Sequence, residues 1–487
     1  MALADFVPFL PEIFLAVAGL TVLLAGIPLG RRGARPVFVV ALGALAVTAI
    51  LVLTVGRPAA GPQPILGDML VVDQFAVFFK LLVLAASALA LFMAAGYLDR
   101  AGYSGGEFAA LVLYADLGMF VMASGANLAS LYVGLELMAL SVYVLVGYFK
   151  LEIKSNEGAV KYFVLGAASS AILLYGISLV YGTTGSLDLE SIRAQLGEVP
   201  HQNVMLLLGI VLVAFGMLFK IAAVPFHVWT PDAYEGAPTP VTAFISVAPK
   251  AAAFAMFLRL FAGTFAGEVD QWRAVLWVAS AATMIYGNVA ALTQDNVKRM
   301  LAYSSIAHAG YALMGLVAGS DAGTWAVLMY MVVYAFMNLG AFGFVILLES
   351  RGYAGETISD FAGLARRHPG SAAGMLIFML GLAGIPPTAG FMGKLYLWAA
   401  TVEAGYVVLV VISVIMSAVS LYYYFRIVVQ MYLKDDTDSD APVVEMIRDR
   451  WTETAIAVCA VLTMAIGIWP APLVGWAKNG LVALGLV

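Results

Sequence analysis

Apolar runs of about 20 residues recur from one end of this 487-residue chain to the other, and each is long enough to cross a bilayer as a helix. The runs are continuous rather than alternating, which excludes an outer-membrane β-barrel. The chain is 63% hydrophobic and 11% charged, whereas soluble domains are roughly half apolar and a quarter charged. Neither a soluble globular protein nor a disordered one fits. A formal charge of −5, small and dispersed, argues against nucleic-acid binding. Cutting at charged or Gly/Pro-rich breaks predicts an all-α polytopic membrane protein of about 14 transmembrane helices, over residues 8–29, 36–55, 70–96, 107–124, 126–149, 157–181, 204–226, 238–262, 271–293, 299–319, 323–349, 372–401, 403–432 and 452–482. The narrowest cut is the Gly-Ala turn between Ser124 and Asn127. The first run lacks a basic leader and matches the others in length, so it reads as a membrane helix rather than a cleaved signal.

The basic residues then sort by side. Of the 25 lysines and arginines, fifteen fall in the loops after odd-numbered spans, among them Arg31, Arg32, Arg35, Lys150, Lys154, Lys298, Arg299, Arg366, Arg367 and Arg426. Five, namely Arg57, Arg193, Arg259, Arg273 and Lys478, fall on the opposite side. The positive-inside rule therefore predicts both termini outside, on a bacterial periplasmic side. The acidic run Asp435, Asp436, Asp438 and Asp440 is expected to be a solvated inner loop.

The remaining lysines, Lys80, Lys161, Lys220, Lys250 and Lys394, lie within spans, as do the acids Asp116 and Glu136. A charge at mid-membrane costs about 2.5–3.5 kcal/mol on insertion scales, so such residues are expected to pair and to face a hydrated interior. None of the five is arginine. Arginine stays protonated, whereas a buried lysine can release its proton, so a row of lysines suits proton transfer better than fixed anion binding. The sequence offers no redox centre. Cys459 is the lone cysteine, and an iron–sulfur cluster takes about four. The histidines His201, His227, His308 and His368 are too scattered for a metal site of regular spacing, and no phosphate or dinucleotide loop is present. No metal and no cofactor are expected on this chain.

Two spans carry proline at depth. Span 7 has Pro225 five residues after Lys220, and span 12 has Pro386 and Pro387 ahead of Lys394. Proline removes a donor and breaks the helix, and irregular backbone survives in a membrane only where protein or water satisfies it. Paired broken helices point to a transport site. Spans 7 and 12 are five apart and so run in opposite directions, which predicts two inverted five-helix repeats, spans 4–8 and 9–13. Ser304, His308 and Tyr311 share a face of span 10, with Ser305 adjacent, and Tyr334 and Asn338 share a face of span 11. Ser169 and Ser170 lie in span 6. Together these residues are candidates to line a chain of waters joining Glu136, Lys220, Lys250, His308 and Lys394. Asp116 and Lys80 stand outside these patterns, as structural pairs, inter-subunit contacts or members of the path. His227 is expected to cap the loop after span 7.

Five segments, in order, carry a resemblance: Leu131–Tyr148 with its LELM motif, Glu157–Gly176 with KYF, Phe219–Phe254 with FKIAAVPFHVW and APKAAAF, Asn296–Tyr311 with SSIAHAGY, and Gly384–Trp398 with GFMGK. They resemble the chain N family of the proton-pumping NADH:quinone oxidoreductase, respiratory complex I, the counterpart of mitochondrial NADH dehydrogenase subunit 2. The resemblance implies a 14-helix antiporter-like fold with two inverted repeats. By motif it implies that Glu136 is the span-5 acid and Lys220 the proton carrier paired with it. Lys161 and Lys250 would be relays, with His308 on the same axis and Lys394 on the way out. The expected units are an N-terminal three-helix segment (1–106), the two repeats (107–262 and 263–432), and an inner loop with the last helix (433–487). FMN, iron–sulfur clusters and quinone are expected on partner subunits, and the partners are other complex I membrane subunits, sister antiporter-like chains included, in a bacterial inner membrane. A sister chain with a C-terminal lateral helix does not match, because this sequence stops soon after span 14. The competing reading is a subunit of a multi-chain sodium/proton antiporter without redox coupling. A third, a structural membrane spacer, leaves the row of buried lysines without a purpose.

Overall fold

A computed structural model describes residues 3–29, 34–58, 61–197, 203–348, 355–434 and 446–482. The acids Asp435 to Asp440, with Arg31, Arg32, His201 and Arg351, lie outside the described residues. Helices α1 (Leu10–Leu29), α2 (Ala34–Thr54) and α3 (Gln74–Ala101) come first, with a short antiparallel hairpin, β1 (Gln63–Ile65) and β2 (Leu70–Val72), between α2 and α3. The sequence reading did not anticipate that hairpin. Then follow α4 (Gly105–Ser124), α5 (Leu128–Val146), α6 (Ile153–Thr184), the surface helix α7 (Leu189–Leu196), α8 (Val204–Lys220), α9 (Trp229–Gly236) and α10 (Thr239–Phe257). The second half comprises α11 (Val269–Ala291), α12 (Val297–Ala318), α13 (Asp321–Leu348), the single turn α14 (Leu364–Arg367), α15 (Pro369–Ala383), α16 (Ala389–Glu403), α17 (Val407–Leu433), α18 (Arg450–Ile468) and α19 (Ala471–Val482).

Among the described residues, twelve helices are long and apolar enough to cross a membrane, and α8 and α15 are shorter apolar helices. Those two open the expected spans 7 and 12. Both spans are broken, α8 from α9 and α15 from α16. The first break lies at Pro225 as expected, but its second half, which begins at Trp229, falls in a stretch read as loop. The last span, expected as one helix over 452–482, is two helices. It stops at Trp469 because Pro470 cannot donate and disfavours helix in the residue before it. The segment beyond, α19, packs on α3 and α13. The narrow cut between spans 4 and 5 is as read: Gly125 is extended, and Asn127 caps α5 by accepting from the Ala129 N–H at 2.9 Å.

Helices α10, α12 and α13 form the buried centre, with nearly every side chain covered, whereas one face of α6 and one of α17 carry exposed apolar residues such as Val164 and Val414. A matching backbone device sits at each end of the centre. At one end, the Leu128 N–H donates to Leu187 and the Leu189 N–H to Ala126 (2.8 and 2.9 Å). At the other, the Val297 N–H donates to Glu356 and the Ile358 N–H to Asp295 (2.6 and 2.9 Å). In each case an Asn N-cap, Asn127 or Asn296, forms the bridge.

Candidate functional site

The first helix break is made by backbone that leaves the helical region and finds partners in neighbouring helices. Ala222 adopts a left-handed φ of 62°, and the Val224–Pro225 peptide is cis. The freed Val224 N–H donates to Thr283 Oγ1 of α11 at 2.9 Å, and Trp229 Nε1 donates to the Phe219 carbonyl at 3.2 Å. These bonds satisfy the groups that a break exposes. Lys220, the last residue of α8, is buried. Its Nζ donates to Tyr143 Oη at 3.5 Å and lies 5.8 Å from the Phe219 ring. Glu136 does not touch it: among the described residues no ion pair joins the two, and Glu136 accepts from Ser170 Oγ. Tyr143, which Lys220 reaches, lies two turns beyond Glu136 on one face of α5. Ser169 donates to the Gly216 carbonyl at 3.3 Å. His227 does not cap α9, which has Val228 at its N-cap and no side-chain cap bond.

The second break is built differently. Gly384 closes α15 with a φ of 84°, and the Pro386–Pro387 peptide is cis. A side chain at position 384 would meet the Lys394 chain at 2.9 Å, so glycine serves here both for its backbone angle and for the space. Lys394 Nζ donates to the carbonyls of Leu382 and Ala383 (3.2 and 2.9 Å) and to Ser417 Oγ (2.7 Å), and lies 4.8 Å from the Tyr311 ring. The last carbonyls of α15, left without helical partners, are thus taken up by the lysine.

Between the breaks runs a buried polar file. Lys250 Nζ donates to Ser305 Oγ and to the Ser305 carbonyl (2.5 and 2.7 Å), and Tyr334 Oη donates to the same Oγ at 2.8 Å. His308 shares a hydrogen bond with Tyr330 Oη through Nδ1 at 2.7 Å and with Tyr424 Oη through Nε2 at 3.3 Å. Tyr424 also bonds Ser304. Tyr311 accepts from Asn288 Nδ2 at 3.1 Å, and Asn338 donates to Ser246 at 2.6 Å rather than joining the His308 cluster. Neutral imidazole carries one donor and one acceptor, and each tyrosine hydroxyl does both, so each of these two hydrogen-bonded groups, Lys250–Ser305–Tyr334 and Ser304–Tyr424–His308–Tyr330, contains side chains that can both give and take a proton.

Three ionisable residues lie off this file. Lys161 is partly exposed near the start of α6, bonded to Glu157 (2.6 Å) and Asp232 (2.7 Å), in a surface cluster that Arg299, Glu235 and Lys154 complete. Lys80 pairs with Glu12 at 2.5 Å, both buried. Asp116 is fully buried and accepts from Ser87 at 2.6 Å. Among the described residues no group of three or more His, Cys, Asp or Glu side chains could hold a metal ion.

The sequence reading missed Tyr143, Tyr330, Tyr424 and Ser417. One signal was readable: Ser413, Ser417, Ser420 and Tyr424 recur at spacings of four and three, a polar stripe along α17, and all four are buried on a helix whose other face is exposed.

Residues 125–420 match the family model described as NADH:quinone oxidoreductase/Mrp antiporter, transmembrane. The chain is 45% identical over 464 residues to the NADH-quinone oxidoreductase subunit N 2 of Rhizobium meliloti, covering 95% of this chain and 94% of that one. It is 42% identical over 435 residues to subunit N of Trichlorobacter lovleyi, covering 87% of each. Among solved structures it is similar to a chain of respiratory complex I from Thermus thermophilus, with a TM-score of 0.80 and 34% identity over 96% of this chain and 98% of the other. It shares its fold with a chain of the Mrp complex from Dietzia sp., with a TM-score of 0.84 and 22% identity over 99% of this chain and 98% of the other.

Proposed function

Because the chain belongs to the NADH-quinone oxidoreductase subunit N family, within the NADH:quinone oxidoreductase/Mrp antiporter transmembrane group, we propose that it moves protons across the membrane through the file between its two helix breaks. It is an antiporter-like membrane subunit of complex I. NADH oxidation and quinone reduction, with FMN and iron–sulfur clusters, belong to partner subunits, and sister antiporter-like chains are its neighbours in a bacterial inner membrane. Both termini face the periplasm in this reading, which the lysine and arginine asymmetry supports. The division into residues 1–106, 107–262, 263–432 and 433–487, with inverted repeats over spans 4–8 and 9–13, draws support from the two breaks and the two matching Asn-capped bridges.

In this reading the charged cluster around Lys161 gathers protons at the inner face. Glu136, Tyr143 and Lys220 form a switch: the carboxylate favours the ammonium and burial favours the amine, so a change in hydration between them moves the proton. Lys250, Ser305 and His308 hand it on, with Ser304, Tyr311 and Asn338 lining the path, and Lys394 releases it outward. Pro225, Pro386 and Pro387 keep the backbone open beside the terminal lysines. Each proton moved against the membrane potential costs about 2.3 kcal/mol per 100 mV, supplied by redox chemistry on the partners. The observation that carries this reading is the run of hydrogen bonds from Lys250 through Ser305 to Tyr334, and from Ser304 through Tyr424 to His308 and Tyr330, lying between the two breaks. Gentle solubilisation tests it. The chain should co-purify with flavin and iron–sulfur absorbance, and NADH should drive proton uptake into vesicles carrying that assembly. Recovery in an assembly lacking both chromophores, with sodium-dependent proton exchange, would replace it with the antiporter reading.

A further inference from the structure

Asp116 takes no part in that file. It lies near the middle of α4, fully buried. Its Oδ1 accepts from Ser87, and its Oδ2 has no partner. The cation further along the α3–α4 seam, Lys80, is already engaged with Glu12. A second buried acceptor without a partner is Oδ1 of Asn338, whose amide nitrogen donates to Ser246.

Helix register sets both at one depth. The Arg259–Asp73 ion pair (2.9 Å) ties the start of α3 to the end of α10. Ser87 lies fourteen residues along α3 from that tie and Ser246 thirteen residues back along α10, or about 21 and 20 Å at 1.5 Å per residue. Helices α3 and α13 run the same way: Phe78 and Leu328 meet at Gly480, and Met93 meets Gly343. Ser87 and Asn338 stand nine and ten residues beyond the first of these pairs, about 14 and 15 Å. Helix α10 packs against α3, α4 and α13. The Ser87–Asp116 and Ser246–Asn338 pairs therefore share one level of a four-helix junction, each with an acceptor lacking a donor. Buried acceptors require donors, and the chemistry that serves both is an acid proton on Asp116 or one water shared between them. Ser246 precedes Lys250 by one turn on the same face of α10.

We propose that Asp116 is a proton-holding side station of the lysine axis, exchanging a proton with Lys250 through one water held between Asp116 Oδ2 and Asn338 Oδ1. It rests on the reading above that Lys250 carries protons. In the forward step the proton leaves the Lys250 ammonium, leaving a neutral amine, and bonds Asp116 Oδ2, turning the carboxylate into a carboxylic acid with Ser87 still bonded to the other oxygen. The reverse step restores both. Transfer replaces two buried charges by two neutral groups, which an apolar surrounding favours. Asp116 thus stores a proton without breaking the axis.

The test uses the whole complex in vesicles, comparing redox-triggered infrared difference spectra, NADH-driven proton uptake and turnover for Asp116→Asn, Asn338→Leu and Lys250→Met, each normalised to assembled complex. Asparagine keeps the Ser87 bond, so assembly should hold. The carboxylic-acid carbonyl band of the native complex should vanish in Asp116→Asn and shift in Asn338→Leu, and coupled turnover in Asp116→Asn should fall about fivefold, or ~1 kcal/mol of barrier. An unchanged band and unchanged pumping in Asp116→Asn, with pumping lost in Lys250→Met, would overturn the side station alone. Native pumping in both variants would overturn the axis with it.

Discussion

Lys220 and Lys394 each stand beside a broken helix, yet their ammonium groups are held in opposite ways. Lys220 has one long hydrogen bond, to Tyr143, and two aromatic rings. Lys394 has three shorter bonds, two of them to carbonyls that its own break sets free. The backbones differ in the same sense. The first break places an alanine, Ala222, in the left-handed region, and the second uses glycine, Gly384. The second lysine is part of the scaffold of its break, whereas the first is loosely held beside one. A proton switch needs the loose setting of Lys220 and a fixed station needs the anchoring of Lys394, so the difference separates two tasks that charge alone does not distinguish.

The largest expected effect breaks the comparison at the lysines. Lys220→Met removes one weak bond, so the complex should assemble at native levels while coupled turnover drops at least about tenfold, the equivalent of ~1.4 kcal/mol of barrier. Lys394→Met takes the lysine donor from the Leu382 and Ala383 carbonyls and leaves the latter only its 3.1 Å bond from Ser417, at a cost of about 1–3 kcal/mol, so the amount of assembled complex should fall as well as its activity. Lys220→Arg refines the first result, since guanidinium keeps the charge and does not release the proton. It should pump nearly as poorly as Lys220→Met. Full pumping in Lys220→Arg would show a pairing residue in place of a switch, and native assembly of Lys394→Met would remove the scaffold role from the second lysine.

The sequence made this contrast only half legible. Apolar run length located the spans, and proline at depth located both breaks, because these are local properties that bilayer thickness and backbone chemistry impose. The bonding around each break was not local. Ser417 reaches Lys394 from α17, and Tyr424 lies 116 residues from His308, contacts that hydropathy does not register. Lys161 shows the opposite error. A hydropathy window counts every residue of a span alike, but a lysine two turns inside a helix end can carry its ammonium to the surface along its apolar stem, and there it meets Glu157 and Asp232. The β1–β2 hairpin and the Trp469 break are short features whose cues, Gly67-Asp68 and Pro470, were present but stood between stronger signals.

A smaller effect should appear when glycine is taken from the second break. Gly384→Ala puts a methyl group into a left-handed position, at about 1–2 kcal/mol, and brings it within 2.9 Å of the Lys394 chain. The side chain must give way, and the bonds that anchor it lengthen. Thermal stability of the purified complex should drop, with proton pumping per assembled complex reduced by less than in Lys394→Met. A stability equal to the native complex would mean that the Lys394 chain shifts freely, and the two lysines would then be held alike.

The smallest effect belongs to the reciprocal change, Ala222→Gly. Three contributions compete. Relief of the left-handed alanine favours the variant by about 1–2 kcal/mol. The greater freedom of glycine in the unfolded chain opposes it by about 0.4–1 kcal/mol. Ala222 is also buried, and loss of its methyl group forfeits about 0.8 kcal/mol of burial. The sum lies near zero, so the thermal midpoint of the complex should stay within a degree or two of native even though the backbone at the break has changed. Activity provides the sharper reading. If the loose setting of Lys220 depends on Tyr143 and Phe219, as its contacts indicate, relaxing Ala222 should leave coupled turnover unaltered. If the alanine instead holds Lys220 in place through the backbone two residues away, glycine should lower turnover while stability stays constant. That outcome would move the origin of the difference between the two lysines from their side-chain partners to the backbone of the break itself.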